Sequence, residues 1–147
     1  MKRTRGYRDS KPYICSKILE NVSKLLIVGT VAFDAIETPF GKTDKILGGA
    51  ATFISLAASH YKVHPGIVSV VGEDFPSKYV ELLRKKEIDV EGLEVVEGGR
   101  TFTWSGKYQH DLNKRDTLST ELNVLAEFDP AVPRAFREVE VVMLGNL

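Results

Sequence analysis

The chain has 147 residues, no net formal charge and 43% hydrophobic residues, which is the composition of one globular domain of ordinary size. Balanced charge leaves no broad basic surface for a polyphosphate backbone, so we predict no nucleic-acid partner. The single cysteine, Cys15, cannot form an internal disulfide, and no apolar run approaches the roughly 20 residues that span a bilayer. The sequence therefore predicts no membrane partner and a cytoplasmic location.

Residues 1–23 are rich in lysine and arginine and lack the continuous apolar core of a secretory signal. Their acidic residues and weak amphipathic pattern also argue against a transit peptide. We predict that this segment is a basic, mobile extension, and that residues 24–147 form the ordered domain.

Apolar runs closed by glycine predict the strands of a buried parallel sheet at residues 24–29, 66–72 and 139–146. Two helices are predicted between these strands. The first follows the glycine pair and runs to about Tyr61, and its inner face is expected to hold Ile54, Ala57, Ala58 and Tyr61. The second begins near Pro76, and its inner face is expected to hold Tyr79, Leu82 and Leu83. This alternation of strand and helix indicates an α/β fold.

Two further segments, residues 32–47 and 100–120, read as short strands around polar turns. The second of them, rich in threonine and aromatic residues, is predicted to be an antiparallel pair. Together the segments predict a small second sheet that projects from the main domain. A short helix is expected over residues 129–138.

Candidate site residues follow the predicted strands. Asp34 follows the first strand, Gly48 and Gly49 precede the first helix, and Asn146 follows the last strand. Ligands of open parallel sheets bind beyond the carboxyl ends of the strands, so these residues are expected to converge there. Taken alone, the glycines fit a tight turn better than a ligand site, and Asp34 fits an Asx turn better. No phosphate-loop or dinucleotide-binding motif is present.

In their order and spacing, the segments "IVGTVAFDAIETP", "KILGGAATFISLAASHY" and "SVVGEDFPSKYVELLRKKEIDVEGL" resemble the N-terminal half of the ribokinase-like (PfkB) family of sugar and nucleoside kinases. The resemblance implies a three-layer α/β/α domain with a small β-sheet lid, whose C-terminal half is absent from this chain. It also implies transfer of the γ-phosphate of ATP to a hydroxymethyl group of a small sugar or nucleoside. Mg²⁺, and often a monovalent cation, would assist.

By the same resemblance, Asp34 accepts hydrogen bonds from substrate hydroxyls, and the backbone amides of Gly48 and Gly49 approach the sugar. Ala32 and Phe53 stand where many family members have asparagine, which implies fewer polar contacts and a more apolar substrate face. Phe53 fits the core equally well. The candidate lid residues are Thr101, Thr103, Trp104 and Tyr108.

The family's C-terminal half carries a Gly-Ala-Gly-Asp segment that activates the attacking hydroxyl, and no such segment occurs in this chain. We therefore predict no catalytic residue, no metal ligand and no tightly bound ATP or Mg²⁺ here, and a chain that is inactive alone as a fragment or truncated product. One alternative is a non-catalytic module that binds a small polyol or forms a homodimer through its lid sheet. Another is a nucleotide-sensing regulator. The apolar strand at residues 139–144 would aggregate or dimerise if it lay at a sheet edge.

Overall fold

A computed structural model describes residues 24–61 and 63–146, so the predicted extension at residues 1–23 lies outside the described residues. The described strands are β1 (Lys24–Val28), β2 (Ala32–Thr38), β3 (Gly41–Lys42), β4 (Ile46–Gly48), β5 (His64–Gly72), β6 (Asp89–Val96), β7 (Thr103–Tyr108), β8 (Arg115–Glu121) and β9 (Val141–Leu144). The α-helices in these ranges are α1 (Ala50–Ala58) and α2 (Ser77–Lys85). Within them, no helix is both long and apolar enough to cross a membrane.

The main sheet is parallel and has the strand order β6-β5-β1-β9. Strand β1 is central, as its apolar run predicts, and Leu26 and Ile27 are fully buried on opposite faces of it. Strand β9 pairs with β1 at the edge of the described sheet, and its four residues are all exposed. The predicted α/β fold is therefore confirmed, and β9 presents an apolar edge.

One face of the main sheet packs against both α-helices. Of the predicted inner face of α1, Ile54 and Ala58 pack against the core, whereas the prediction is wrong for Ala57 and Tyr61. The helix ends at Ala58, and Tyr61 and Ala57 are exposed. The buried residues of α1 are Ala51, Thr52 and Ser55. Small residues let the helix axis approach the sheet closely, and Ser55 Oγ satisfies itself by donating to the Thr52 carbonyl oxygen at 2.9 Å. Two hydroxyl side chains, Thr52 and Ser55, therefore share the buried face of α1 with Ala51.

Helix α2 begins after Pro76, which lies at the N-cap with φ −66°, and it buries Leu83 completely. Tyr79 packs beside Phe33 and Phe75, as its predicted inward position requires. The prediction for Leu82 is wrong, because this side chain is 38% exposed. Adjacent helix positions differ by about 100° around the axis, so the core receives Leu83 and leaves Leu82 at the margin.

The opposite face of the main sheet packs against Phe136, which lies in a 3₁₀ turn. Phe136 packs there against Leu26 and Val68. The short helix predicted over residues 129–138 is wrong: only Arg134–Phe136 form a single 3₁₀ turn. Pro130 and Pro133 lack the N–H that a continuing helix needs, so the segment stays extended around that turn.

The predicted second sheet is present, with the order β3-β2-β7-β8 and β4 paired to β2. Strands β7 and β8 are antiparallel, as predicted, while β2 and β7 are parallel. The first residues of β2, Ala32 and Phe33, are buried in the core. Because β2 leaves the core directly into the second sheet, that sheet is anchored to the main domain by its central strand.

Thr101, a predicted lid residue, is instead a buried link between the two sheets. Its side chain is fully buried. Its hydroxyl donates to Asp74 Oδ1 at 2.7 Å and accepts from the Gly72 N–H at 3.1 Å. Asp74 Oδ1 also accepts from the Thr101 N–H at 2.8 Å. These bonds hold the segment that enters β7 against the end of β5, so Thr101 cannot move as a lid side chain would.

We predict that Thr101→Val destabilises the protein by about 1–3 kcal/mol, because the isosteric valine leaves the buried Gly72 N–H without an acceptor. Urea denaturation followed by circular dichroism measures this change. Thr120→Val on exposed strand β8 is the matched control and should leave stability unchanged. Equal stability of the Thr101→Val variant and the unaltered protein would show that this link contributes nothing.

Candidate functional site

The carboxyl ends of two neighbouring strands bring Thr30 and Asn146 together. Thr30 follows β1, Asn146 follows β9, and these two strands are paired in parallel. The Thr30 hydroxyl donates to the Asn146 carbonyl oxygen at 3.4 Å. This rim of the main sheet is where an open parallel sheet binds its ligands.

A cavity of about 290 Å³ opens at this rim, between the start of α1 and the second sheet. Five of the six residues predicted for the site line it: Asp34, Gly49, Phe53, Trp104 and Asn146. The sixth, Gly48, lies directly beneath the Asp34 carboxylate. Four further lining residues were not predicted: Thr30, Ala50, Phe102 and Arg115.

Asp34 is the acidic group of the cavity. It lies on β2, where it is paired with Ile46 of β4 on one side and with Trp104 of β7 on the other. Burial raises the pKa of the Asp34 carboxyl above its ordinary value of 3.8. A partly desolvated carboxylate of this kind offers only acceptors, so it is suited to bind ligand hydroxyls that replace the lost water.

Gly48 and Gly49 are each required for a different steric reason. A Cβ on Gly48 would overlap the Asp34 carboxylate, so Gly48 makes room for that side chain. Gly49 has φ +96°, and a Cβ there would overlap the Thr30 carbonyl oxygen and lie 2.8 Å from its carbon. Only glycine adopts this conformation without strain, and it allows the backbone before α1 to approach the loop after β1.

The first amides of α1 are already bonded within the protein. The Ala50 N–H donates to Thr30 Oγ1 at 2.8 Å, and the Ala51 N–H donates to the Thr30 carbonyl oxygen at 2.9 Å. Thr30 thus satisfies two of the donors that a helix N-terminus leaves open. The glycine pair therefore lets the start of α1 lie close to the loop after β1.

Aromatic rings and one cation form the remaining walls. Phe53, on α1, is 56% exposed, which excludes the alternative that it is a core residue. Trp104 lies on β7, and the Arg115 guanidinium carbon lies 5.2 Å from the centroid of its ring. The sequence around Arg115 does not predict that it is a cavity residue, because it reaches the cavity only through the pairing of β7 with β8. Thr30 could have been found from its place immediately after the strand-closing Gly29.

This architecture is similar to that of known proteins. No family model matches the chain. Ribokinase from Cryptococcus neoformans, solved with ADP, aligns over 84% of this chain and 41% of its own, with 16% identity and a TM-score of 0.67. The nucleoside kinase of Burkholderia thailandensis, solved with inosine, aligns over 70% of this chain and 38% of its own, with 16% identity and a TM-score of 0.60. The chain has a ribokinase-like fold. The predicted resemblance is thereby confirmed for the fold.

A curated sequence relative agrees with this fold. The cytidine kinase of Thermococcus kodakarensis is 28% identical over 74 residues, which are 50% of this chain and 26% of that protein. The ribokinase-like chain therefore spans less than half of the length of these relatives. It resembles part of a ribokinase-like kinase.

The described residues were searched for clusters of side chains that could coordinate a metal ion. Within residues 24–61 and 63–146, no group of three or more histidine, cysteine, aspartate or glutamate side chains could hold a metal ion. Mg²⁺ is commonly held by one or two carboxylates together with substrate phosphates, so the described residues do not by themselves form a site for it.

Proposed function

We propose that this chain is the acceptor-binding part of an ATP-dependent kinase that phosphorylates a hydroxymethyl group of a sugar or nucleoside. The observation that supports it is the partly desolvated Asp34 carboxylate in a cavity at the rim of a ribokinase-like sheet. The relatives named above, a ribokinase, a nucleoside kinase and a cytidine kinase, agree with this substrate class.

Asp34 accepts hydrogen bonds from ligand hydroxyls and fixes the orientation of the sugar ring. Phe53 and Trp104 cover apolar parts of the ligand and exclude water from it. The second sheet, anchored through β2, acts as the lid. Water exclusion favours transfer of a phosphoryl group to the ligand over its loss to solvent.

Phosphoryl transfer also needs groups that position and neutralise the transferring phosphate. The chain contains no Gly-Ala-Gly-Asp segment, and its described residues hold no group of three or more histidine, cysteine, aspartate or glutamate side chains placed to bind a metal ion. ATP and Mg²⁺ then belong to the complete enzyme rather than to these residues. We expect this chain alone to bind the acceptor and to transfer no phosphate.

Calorimetric titration of the full chain with ribose, nucleosides and ATP tests this function. We expect binding of a sugar or nucleoside and no binding of ATP. A parallel assay should detect ATP-dependent phosphorylation only when the chain is extended by the coding sequence that follows it. Binding without activity in either form would favour a non-catalytic polyol-binding module, and ATP binding by the chain alone would favour a nucleotide-sensing regulator.

A further inference from the structure

Three segments of the chain meet at the rim of the main sheet, and each carries a glycine there. Gly29 follows β1, Gly49 precedes α1 and Gly145 follows β9. A Cβ on Gly29 would lie 3.2 Å from the Gly145 Cα, and a Cβ on Gly145 would lie 3.0 Å from the Ala50 Cβ. A Cβ on Gly49 would overlap the Thr30 carbonyl oxygen. The three segments therefore pack closely, with little room for a side chain at any of these glycines.

The Thr30 side chain joins these three segments by hydrogen bonds. Its hydroxyl accepts from the Ala50 N–H at 2.8 Å and donates to the Asn146 carbonyl oxygen at 3.4 Å. The residue is only 5% exposed, so water has little access to replace these bonds. A bond to Ala50 alone would be explained by stabilisation of the start of α1. The bond to Asn146 has no part in that stabilisation, so it requires a separate explanation.

The joined segments form walls of the cavity. Thr30, Ala50 and Asn146 all line it, and Phe53 lies three residues after Ala50 on α1. Strand β9 is at the edge of the described sheet, where it pairs with β1 on one side. A bond at the end of such a strand limits how far Asn146 can move relative to α1. Binding sites need this kind of support, because displacements of about 0.5 Å already reduce their complementarity to a ligand.

We propose that Thr30 is a positioning residue of the acceptor cavity. Its hydroxyl holds the start of α1 against the end of β9, and it thereby sets the spacing of the walls between which the ligand binds. Thr30 acts through Ala50 and Asn146 rather than through the ligand, because its hydroxyl proton and one lone pair are used within the protein. This inference rests on the proposed function, since the spacing matters for function only if the cavity binds an acceptor.

Two substitutions test the role of the Thr30 hydroxyl. Thr30→Val keeps the shape of the side chain but cannot accept from Ala50 or donate to Asn146, whereas Thr30→Ser keeps the hydroxyl. Calorimetric titration of the full chain with ribose and with inosine measures affinity. Thr30→Val should weaken binding of the tighter ligand about tenfold, because the ordering that these hydrogen bonds supply must then come from binding energy. Thr30→Ser should bind as the unaltered protein does.

Amide hydrogen exchange of the unliganded protein gives a readout that does not depend on the ligand. The Ala50 N–H should be protected in the unaltered chain and in Thr30→Ser. In Thr30→Val it should exchange about tenfold faster, beyond any change at the buried amides of β1, which report on unfolding of the main sheet. Unchanged protection of Ala50 in Thr30→Val would show that the hydroxyl does not hold this segment and would overturn the proposal.

Leu83→Ala is the control for stability, because it removes a fully buried side chain from α2, away from the residues that line the cavity. It should lower the thermal unfolding temperature and leave ligand affinity unchanged at temperatures where the variant is folded. An equal loss of affinity in Leu83→Ala would show a general effect of stability and overturn the role of Thr30. Unchanged affinity in Thr30→Val, or lost affinity in Thr30→Ser, would overturn that role and leave the proposed function intact. Failure of the unaltered chain to bind either ligand would overturn the proposed function and the positioning role with it.

Discussion

Replacing Asp34 by asparagine is expected to weaken sugar or nucleoside binding by about 10- to 100-fold, the effect of losing one hydrogen bond to a charged acceptor. Asparagine has nearly the same shape, but its amide NH₂ group donates where the carboxylate accepts. A donor facing the ligand hydroxyl removes the acceptor that the bound orientation needs. Titration calorimetry with the tightest-binding ligand measures the change.

The control for this variant is Glu37→Gln, which makes the same chemical change on the same strand. Glu37 accepts a hydrogen bond from Lys107 at 2.7 Å outside the cavity, and this bond lowers the pKa of the Glu37 carboxyl. Its neutralisation should leave ligand affinity unchanged. Equal effects of the two substitutions would indicate a general loss of charge rather than a site at Asp34.

Replacing Asp34 by asparagine should not lower the free energy of unfolding at neutral pH, although it lowers ligand affinity. Because burial raises the pKa of the folded-state carboxyl above 3.8, folding favours its protonated form. The stability from this group is full below pH 3.8 and is lost as the pH rises through the folded-state pKa. Asp34→Asn removes that dependence, so the variant should be as stable as the unaltered protein at neutral pH, or more so. Destabilisation at neutral pH would contradict this electrostatic description.

Gly49→Ala is expected to destabilise the protein by about 3 kcal/mol or more. Part of the cost is the left-handed φ of +96°, and part is the overlap of the new Cβ with the Thr30 carbonyl. That carbonyl accepts from the Ala51 N–H, so relieving the overlap would also disturb the start of α1. Chemical denaturation measures the free energy of unfolding.

Substitutions at two other glycines distinguish the conformational cost of Gly49→Ala from its steric cost. Gly98 also has a positive φ, +66°, but no atom lies within 4 Å of its Cβ position. Gly98→Ala should therefore cost only the conformational part, about 1 kcal/mol. Gly41 has neither a positive φ nor a close neighbour, and Gly41→Ala should be neutral. If all three variants were equally stable, the close approach at Gly49 would have no energetic consequence.

Local patterns in the amino-acid sequence were sufficient to predict much of the fold. Continuous apolar runs such as the one ending at Gly29 predicted buried parallel strands, because both faces of such strands are covered. The threonine- and aromatic-rich segments predicted β7 and β8 and their antiparallel pairing. Asp34 and Asn146 were predicted to converge because ligands of parallel sheets bind at the rim where the strands end, and both line the cavity there.

Other features needed the tertiary structure. The buried face of α1 holds Thr52 and Ser55, since close helix–sheet packing selects small side chains and a hydroxyl can bond within the helix. Thr101 has the sequence context of a lid residue, yet its bonds to Asp74 and Gly72 bury it. Nothing near Arg115 in the chain predicts its place beside Trp104.

The sequence by itself determined most of the strands, though not β6 (Asp89–Val96), and indicated where backbone without a Cβ is required. Only the tertiary structure decided which side chains share the cavity, because that depends on the register of β7 with β8 and on the entry of β2 into the second sheet. Strand formation follows from a local pattern of apolar residues, whereas the meeting of Asp34, Phe53 and Arg115 requires three elements that are distant in the chain to pack together.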